Sequence, residues 1–282
     1  MTRQKHREGY RDERGAEPGK EWNEKRKSRR RRNRRKARIR FLASMLGTLL
    51  GAVLLVLVAY TALNLFFDFG KVNAQKLREQ GYPESLIALV ERNPETKDFV
   101  LDYPKYKGLE EIDISKEVTK GEIPHFLQWD ERWGYETYGS DFLAVTGCGP
   151  TSLSMVVCGL TGDTKWNPYE VAKMAEDNGY YVDGSGSSWE LMSSGAEKLG
   201  LTVSSVIFDA EHIRATLEAG QPIICVMGPG DFTDAGHFLV LTGVDQEGDI
   251  ILQDPNSVER TKQHWDVQKL MNQMKNLWSY RV

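Results

Sequence analysis

The sequence predicts an α+β domain carried behind a single membrane-spanning helix. Three observations lead there. Residues 41–67 contain no charged side chain and follow directly on a dense basic block. In roughly the last 160 residues, helical patterns come first and strand patterns later, the order of an α+β fold. Within that stretch Cys148, His237 and Asp254 each stand beside glycine or proline, at the edge of an element.

The formal charge of −3 hides a partition. Residues 1–40 hold about 18 Lys and Arg against about 6 Asp and Glu, which leaves the remainder near −15. Such a basic, polar stretch buries little apolar surface, so residues 1–40 read as a disordered tail. Its core, Lys25 to Lys36, would in isolation suggest nucleic-acid binding. The apolar run that follows argues against it. About 20 apolar residues span a bilayer, and a preceding cluster of Lys and Arg marks the cytoplasmic side. Residues 41–67 are therefore expected to be a signal anchor, with the N-terminus inside, the rest of the chain extracytoplasmic and the basic tail near anionic headgroups. A cleaved signal peptide fits less well, because its apolar core is usually about 7 to 15 residues and is followed by an Ala-x-Ala-like site. The expected partners are thus a lipid bilayer through residues 41–67 and no nucleic acid.

Residues 70–121 read as a helical linker. Leu86, Ile87, Leu89 and Val90 fall at helical spacing after Pro83, and Pro94 ends the run. A second short helix is expected over residues 95–103. The segment is expected to pack on the domain that follows.

In residues 122–282 the first long helix begins near Cys148-Gly149-Pro150. Proline suits the first helical turn, the apolar run Leu153 to Leu160 continues it, and Thr161-Gly162-Asp163 ends it. Glycines flanking Cys148 would let the backbone turn and leave room for a carbonyl to approach the sulfur. Asn167 is the expected N-cap of a helix through Asp177. Ser187-Ser188-Trp189-Glu190 reads as a capping box for a helix to Leu199. Strands are expected over residues 202–208 and 222–227, with a helix between them over residues 210–219. His237 then opens an apolar strand to Val244, Gln246-Glu247-Gly248-Asp249 turns the chain, and residues 250–255 return. The outer ends of an antiparallel pair meet, so Asp254 can reach His237 and orient its ring. A helix over residues 266–274 and a strand over residues 277–281 close the chain.

A thiol near a helix start and an imidazole is a nucleophile candidate, since both stabilise the thiolate. Cys158 and Cys225 lie in apolar runs and read as buried thiols, a pairing between them being left open. No zinc-ligand spacing, Walker-type loop or dinucleotide glycine pattern is present, and no cofactor or metal is expected.

The stretch from Ile123 onward resembles the C39-like cysteine peptidases, a branch of the papain-like superfamily. The resemblance rests on Ile123-Pro124, Gln128-Trp129-Asp130, Trp133-Gly134, Gly147-Cys148-Gly149-Pro150-Thr151-Ser152-Leu153, Gly236-His237-Phe238 and Asp254-Pro255. It implies a papain-like fold and hydrolysis of peptide or amide bonds through a thioester. Cys148 would be the nucleophile, His237 the general base and acid, Asp254 the orienting carboxylate and Gln128 an oxyanion donor with the Cys148 N–H. Gln128 lies farther from the cysteine than in many papain-like enzymes, with residues 130–146 between. Trp129 and Trp133 are candidates for cleft wall or core, and the loops at residues 183–187 and 228–236 flank the cleft. The expected partner is a peptide or protein substrate. Alternatives are a transpeptidase or amidase acting on cell-envelope material, and a catalytically idle peptide-binding module. Elsewhere in the family such domains process double-glycine leaders in the cytoplasm beside a transporter. The expected extracytoplasmic placement, in a bacterial envelope setting, speaks against that role here.

Overall fold

The computed structural model describes residues 18–69 and 72–282. The chain divides into two compact units, Met1–Lys71 and Val72–Val282.

The first unit contains one helix, α1 (Pro18–Phe69, 52 residues), about 78 Å long at ~1.5 Å per residue. It includes a stretch long and apolar enough to cross a membrane. The helix also runs through the basic block, which corrects the expectation of a disordered tail over residues 18–40; residues 1–17 of that tail lie outside the described residues. The physical reason is local. Arg, Lys and Glu are good helix formers, no glycine or proline occurs between Lys20 and Leu46, and extending an existing helix avoids the cost of a new nucleus.

The second unit opens with α2 (Ala74–Glu79), α3 (Glu84–Arg92) and α4 (Lys97–Asp102). Short 3-10 turns flank α4 at Pro94–Thr96 and Tyr103–Lys105. These elements do not stand alone: Leu86, Ile87, Phe99 and Val100 are buried with Tyr135 and Ala144 in one cluster. Tyr135 stacks on Phe99 at 4.2 Å between ring centroids. The lead-in segment and the rest of the unit therefore share a core.

Next come the two-residue strands β1 (Thr137–Tyr138) and β2 (Asp141–Phe142), then α5 (Leu143–Thr146), α6 (Cys148–Thr161) and α7 (Pro168–Asp177). Helix α6 starts at Cys148 itself and stops at Gly162, which takes the left-handed conformation (φ 78°) that favours glycine. The Asn167 side chain caps α7 as expected. A small hairpin of β3 (Tyr181–Val182) and β4 (Gly186–Ser187) follows.

The capping box at Ser187–Glu190 is not realised. Ser188 gives its N–H to Tyr180 O at 2.8 Å, and its hydroxyl is buried without a partner among the described residues. Residues Trp189–Met192 form a 3-10 turn that buries both Leu191 and Met192, and the chain breaks at Ser193 before α8 (Ser194–Lys198). Tertiary burial of two adjacent side chains overrides the local cap signal.

The chain then forms β5 (Thr202–Ser205), α9 (Ala210–Glu218), β6 (Ile223–Met227), β7 (His237–Val244), β8 (Ile250–Gln253), α10 (Val258–Thr261), α11 (Val267–Met271) and β9 (Met274–Arg281). These five strands make one antiparallel sheet in the order β5-β9-β6-β7-β8. Strand β5 ends three residues earlier than expected, because its register with β9 stops at Ser205 opposite Trp278. Strand β9 starts earlier than expected, since Met274 pairs with Met227 beyond a bulge and shortens the preceding helix.

Both faces of the sheet are covered, which explains its continuous apolar runs. Ile224, Val226, Phe238 and Val240 face the cluster containing α6 and α7. Their neighbours Ile223, Cys225, Leu239 and Leu241 face the cluster containing Ile213 and Leu217 of α9. Alternation along a strand sends successive side chains to opposite faces. Cys158 and Cys225 lie in different clusters, and all three cysteines are free thiols.

Candidate active site

Three elements meet at the site. Cys148 is the first residue of α6, His237 the first residue of β7, and Asp254 the residue after β8. The glycines beside Cys148 are required, though not for backbone freedom, since neither has a positive φ. A Cβ on Gly149 would lie 2.3 Å from Ser187 Oγ, and one on Gly147 would lie 2.4 Å from Leu143 O. Close packing is the reason for both.

The β7/β8 pairing runs outward to Val240 opposite Gln253, past a bulge near Thr242. One residue on, Asp254 Oδ1 lies 2.7 Å from His237 Nε2. Both side chains are buried, Asp254 completely. That leaves Nδ1 of the ring for the half-buried Cys148 thiol, which lines the same groove and is near enough for His237 to shift its ionisation.

Charge follows from this geometry. Burial opposes ionisation of Cys148, but the hydrogen bond and charge of His237 outweigh it and hold the thiol below its ordinary range. Burial likewise opposes protonation of His237, but the Asp254 carboxylate and the Cys148 sulfur raise it to about 10. Burial would raise Asp254, yet His237 and Arg260 keep it below the usual carboxylate range. A thiolate–imidazolium pair is thereby favoured over its neutral form. Burial pushes the other two thiols up, Cys158 to about 12 and Cys225 further.

Gln128 reaches the same place despite the intervening loop. Its N–H donates to Pro255 O at 2.7 Å, and Ala144 N–H donates to Gly134 O at 3.0 Å, so residues 130–146 fold back on themselves. The Gln128 side chain is buried; Nε2 donates to Ala144 O at 2.7 Å, while Oε1 has no partner among the described residues. One amide hydrogen is thus engaged and the second remains.

A groove of about 360 Å³ holds Gln128, Cys148 and His237 in its lining. Residues Gly230 to Gly236 line it, so the loop before His237 borders the cleft as expected, and Leu89, Arg92 and Asn93 of the lead-in segment join them. The loop at residues 183–187 does not line the groove; its Ser187 bonds the Tyr138 hydroxyl at 2.8 Å and lies against Gly149, next to Cys148. Trp133 is core, with Nε1 donating to Leu127 O at 2.8 Å. Trp129 instead donates to Asn256 O at 3.2 Å.

Sequence reasoning missed Arg260 and His125. Arg260 Nε donates to Asp254 Oδ2 at 2.5 Å, and its guanidinium stands 5.8 Å from the Phe232 ring centroid. The half-buried His125 ring contacts Asp254 O at 2.8 Å and Thr261 Oγ1 at 3.1 Å. Neither residue sits in a local pattern that marks such a role.

The family described as Peptidase_C39 like matches residues 120–282, more than half of the chain. The chain belongs to that family. Among solved structures, one described as a C39-like peptidase from Bacillus anthracis is similar at 19% identity, covering 58% of this chain and 97% of its own, with a TM-score of 0.34. No curated protein matches. Residues 120–282 are therefore a C39-like, cysteine peptidase-like domain, preceded in the chain by a helix that could span a membrane.

Proposed function

We propose that this protein is a membrane-anchored, extracytoplasmic cysteine peptidase that cleaves peptide or related amide bonds through a thioester. The observation that carries this reading is the buried His237 held between the Cys148 thiol and the Asp254 carboxylate, 2.7 Å from the latter. His237 takes the Cys148 proton, and the thiolate attacks the scissile carbonyl carbon. The resulting oxyanion is met by the free amide hydrogen of Gln128 and by the Cys148 N–H, which as a first-turn donor needs an acceptor from outside its helix. Loss of one such donor typically costs about 10²–10³ in rate. His237 then gives its proton to the departing amine, leaving an acyl group on sulfur. Water, deprotonated by the same ring, releases the acid and restores the thiol. Asp254 holds the ring in one orientation and stabilises its charged form throughout.

The apolar stretch of α1 supports membrane attachment, and the basic residues ahead of it support a cytoplasmic N-terminus with the peptidase domain outside. Incubating the full chain with a peptide library should give cleavage that Cys148→Ala abolishes. A Cys148→Ala protein with undiminished hydrolysis would sink the assignment. Adding a competing amine tests whether the thioester passes to water or to a second amine. For the topology, protease added to intact cells should remove the domain while sparing the N-terminal segment.

A further inference from the structure

Asp254 has no sheet bond to hold it. The last β7/β8 pair is Val240 with Gln253, so Asp254 belongs to the turn that leads into α10. Its N–H donates to Thr261 Oγ1 at 2.9 Å, and its Oδ1 accepts from Asn256 N–H at 2.8 Å. From α10 itself, Arg260 Nε donates to Oδ2 at 2.5 Å. The carboxylate therefore points where this turn points it.

Residues that precede the family-matched region grip this turn. Asn93, which is buried, donates from Nδ2 to Asn256 O at 2.6 Å. Glu95 Oε2 accepts from the N–H groups of Val258 at 2.7 Å and Glu259 at 3.3 Å, and Oε1 accepts from the Ser257 hydroxyl. That hydroxyl also accepts from Arg260 N–H at 3.0 Å. A continuous line of bonds thus runs from Glu95 through Ser257 and Arg260 to Asp254 and His237. Both lead-in residues lie in the turn following α3, and that turn is fixed by its own packing: Asn93 accepts from Glu95 N–H at 3.1 Å, and Thr96 is fully buried.

We propose that Asn93 and Glu95 are positioning residues for the active site, holding the 254–260 turn so that Arg260 and Asp254 present one carboxylate oxygen to His237. This rests on the peptidase reading above. It makes the lead-in segment a working part of the enzyme, and a chain cut to residues 120–282 should be impaired. A misplacement of about 1 Å at a catalytic group can cost roughly 10²-fold in rate.

The charged and titratable groups facing the invoked pair are few. His237 meets Cys148 and Asp254; Asp254 meets His237 and Arg260, with the His125 ring on its carbonyl and the Cys225 thiol within its field. The Glu95 charge also reaches His125. Any test must therefore separate placement of the turn from loss of the Glu95 charge.

Detergent-solubilised full-length protein supplies the test, read by the rate of Cys148 alkylation with iodoacetamide across pH, with thermal unfolding in parallel. Glu95→Ala should lower the rate at pH 7 about tenfold and move its rise to higher pH. Glu95→Gln, which removes the charge but keeps an acceptor oxygen for Val258, should stay close to wild type. Asn93→Ser keeps a capping oxygen for Glu95 N–H while dropping the donor to Asn256, and should resemble Glu95→Ala in a folded protein. Wild-type alkylation in Glu95→Ala and Asn93→Ser, whatever their melting points, overturns the proposal, and so do equal shifts in Glu95→Ala and Glu95→Gln. If wild-type Cys148 itself behaves as an ordinary thiol, the peptidase reading fails first and takes this one with it.

Discussion

Replacing Asp254 with Asn tests the electrostatic core of the site while nearly preserving its shape. The carboxylate is fully buried, with Oδ1 2.7 Å from His237 Nε2 and Oδ2 2.5 Å from Arg260 Nε. With charge centres about 4 Å apart and an effective dielectric of ~20, its attraction for the imidazolium is about 4 kcal/mol. At 1.36 kcal/mol per pH unit that is roughly three units, in keeping with a His237 raised from 6.5 to about 10. The amide oxygen of Asn still accepts from the ring, so we expect a net fall of about two units in the His237 pKa. The imidazolium then stabilises the Cys148 thiolate less: the equilibrium constant for forming the thiolate–imidazolium pair should fall about a hundredfold, and the rise of Cys148 alkylation should move to higher pH. Iodoacetamide alkylation of Cys148, followed by mass spectrometry from pH 5 to 10, reads this directly without a known substrate. A folded Asp254→Asn protein whose alkylation profile overlays that of the wild type would refute the reasoning. The same substitution has a stability signature in acid. Asp254 is held below its unfolded value of about 3.9, so the stability it contributes is present above that pH and is lost as pH falls through the lower folded value. The Asp254→Asn protein should therefore lose less stability than the wild type on acidification below about pH 4.

Four further outcomes follow from the same geometry. Peptide hydrolysis by the wild type should have a bell-shaped pH profile, with the acid limb set by Cys148 below its ordinary value and the alkaline limb set by His237 well above 6.5; limbs at ordinary thiol and imidazole values would contradict it. In the native protein a single thiol, Cys148, should be alkylated quickly near neutral pH, and all three after unfolding, because burial holds Cys158 and Cys225 protonated; fast native labelling of two or three thiols would speak against that burial. Gly149→Ala places a methyl 2.3 Å from Ser187 Oγ and should cost about 1–3 kcal/mol, read as a lower melting temperature that Ser187→Gly partly restores. Leu86→Ala, at a fully buried position of the lead-in core, should destabilise the 72–282 unit by about 2–5 kcal/mol in urea unfolding; no loss would mean that the lead-in does not share that core.

Much of the peptidase-like domain was legible in the order of its residues. Pro150 and Gly162 bracket α6, Asn167 caps α7, and the turn at Gln246–Asp249 joins β7 to β8. Those signals are short-range: a fixed φ, a side-chain oxygen one turn from an orphan N–H, an alternation of apolar residues. The hairpin was enough to place Asp254 beside His237, since two paired strands must bring their outer ends together. Where a local signal competed with burial, it lost. The Ser188 cap yielded to the burial of Leu191 and Met192, and the strand signals beyond Ser205 were not realised although β9 continues to Met274.

From sequence, then, came the elements, the His237–Asp254 hairpin and the apolar stretch of α1, because each depends on residues near one another in the chain; Cys148 joined that pair through the family resemblance. Folding of the whole unit supplied the rest. It set Gln128 against Ala144 across a folded-back loop, and Asn93 and Glu95 against residues more than 160 positions away. Those contacts satisfy buried polar groups whose partners are chosen by the packing of distant segments, and no periodicity or spacing along the chain encodes which segments will meet.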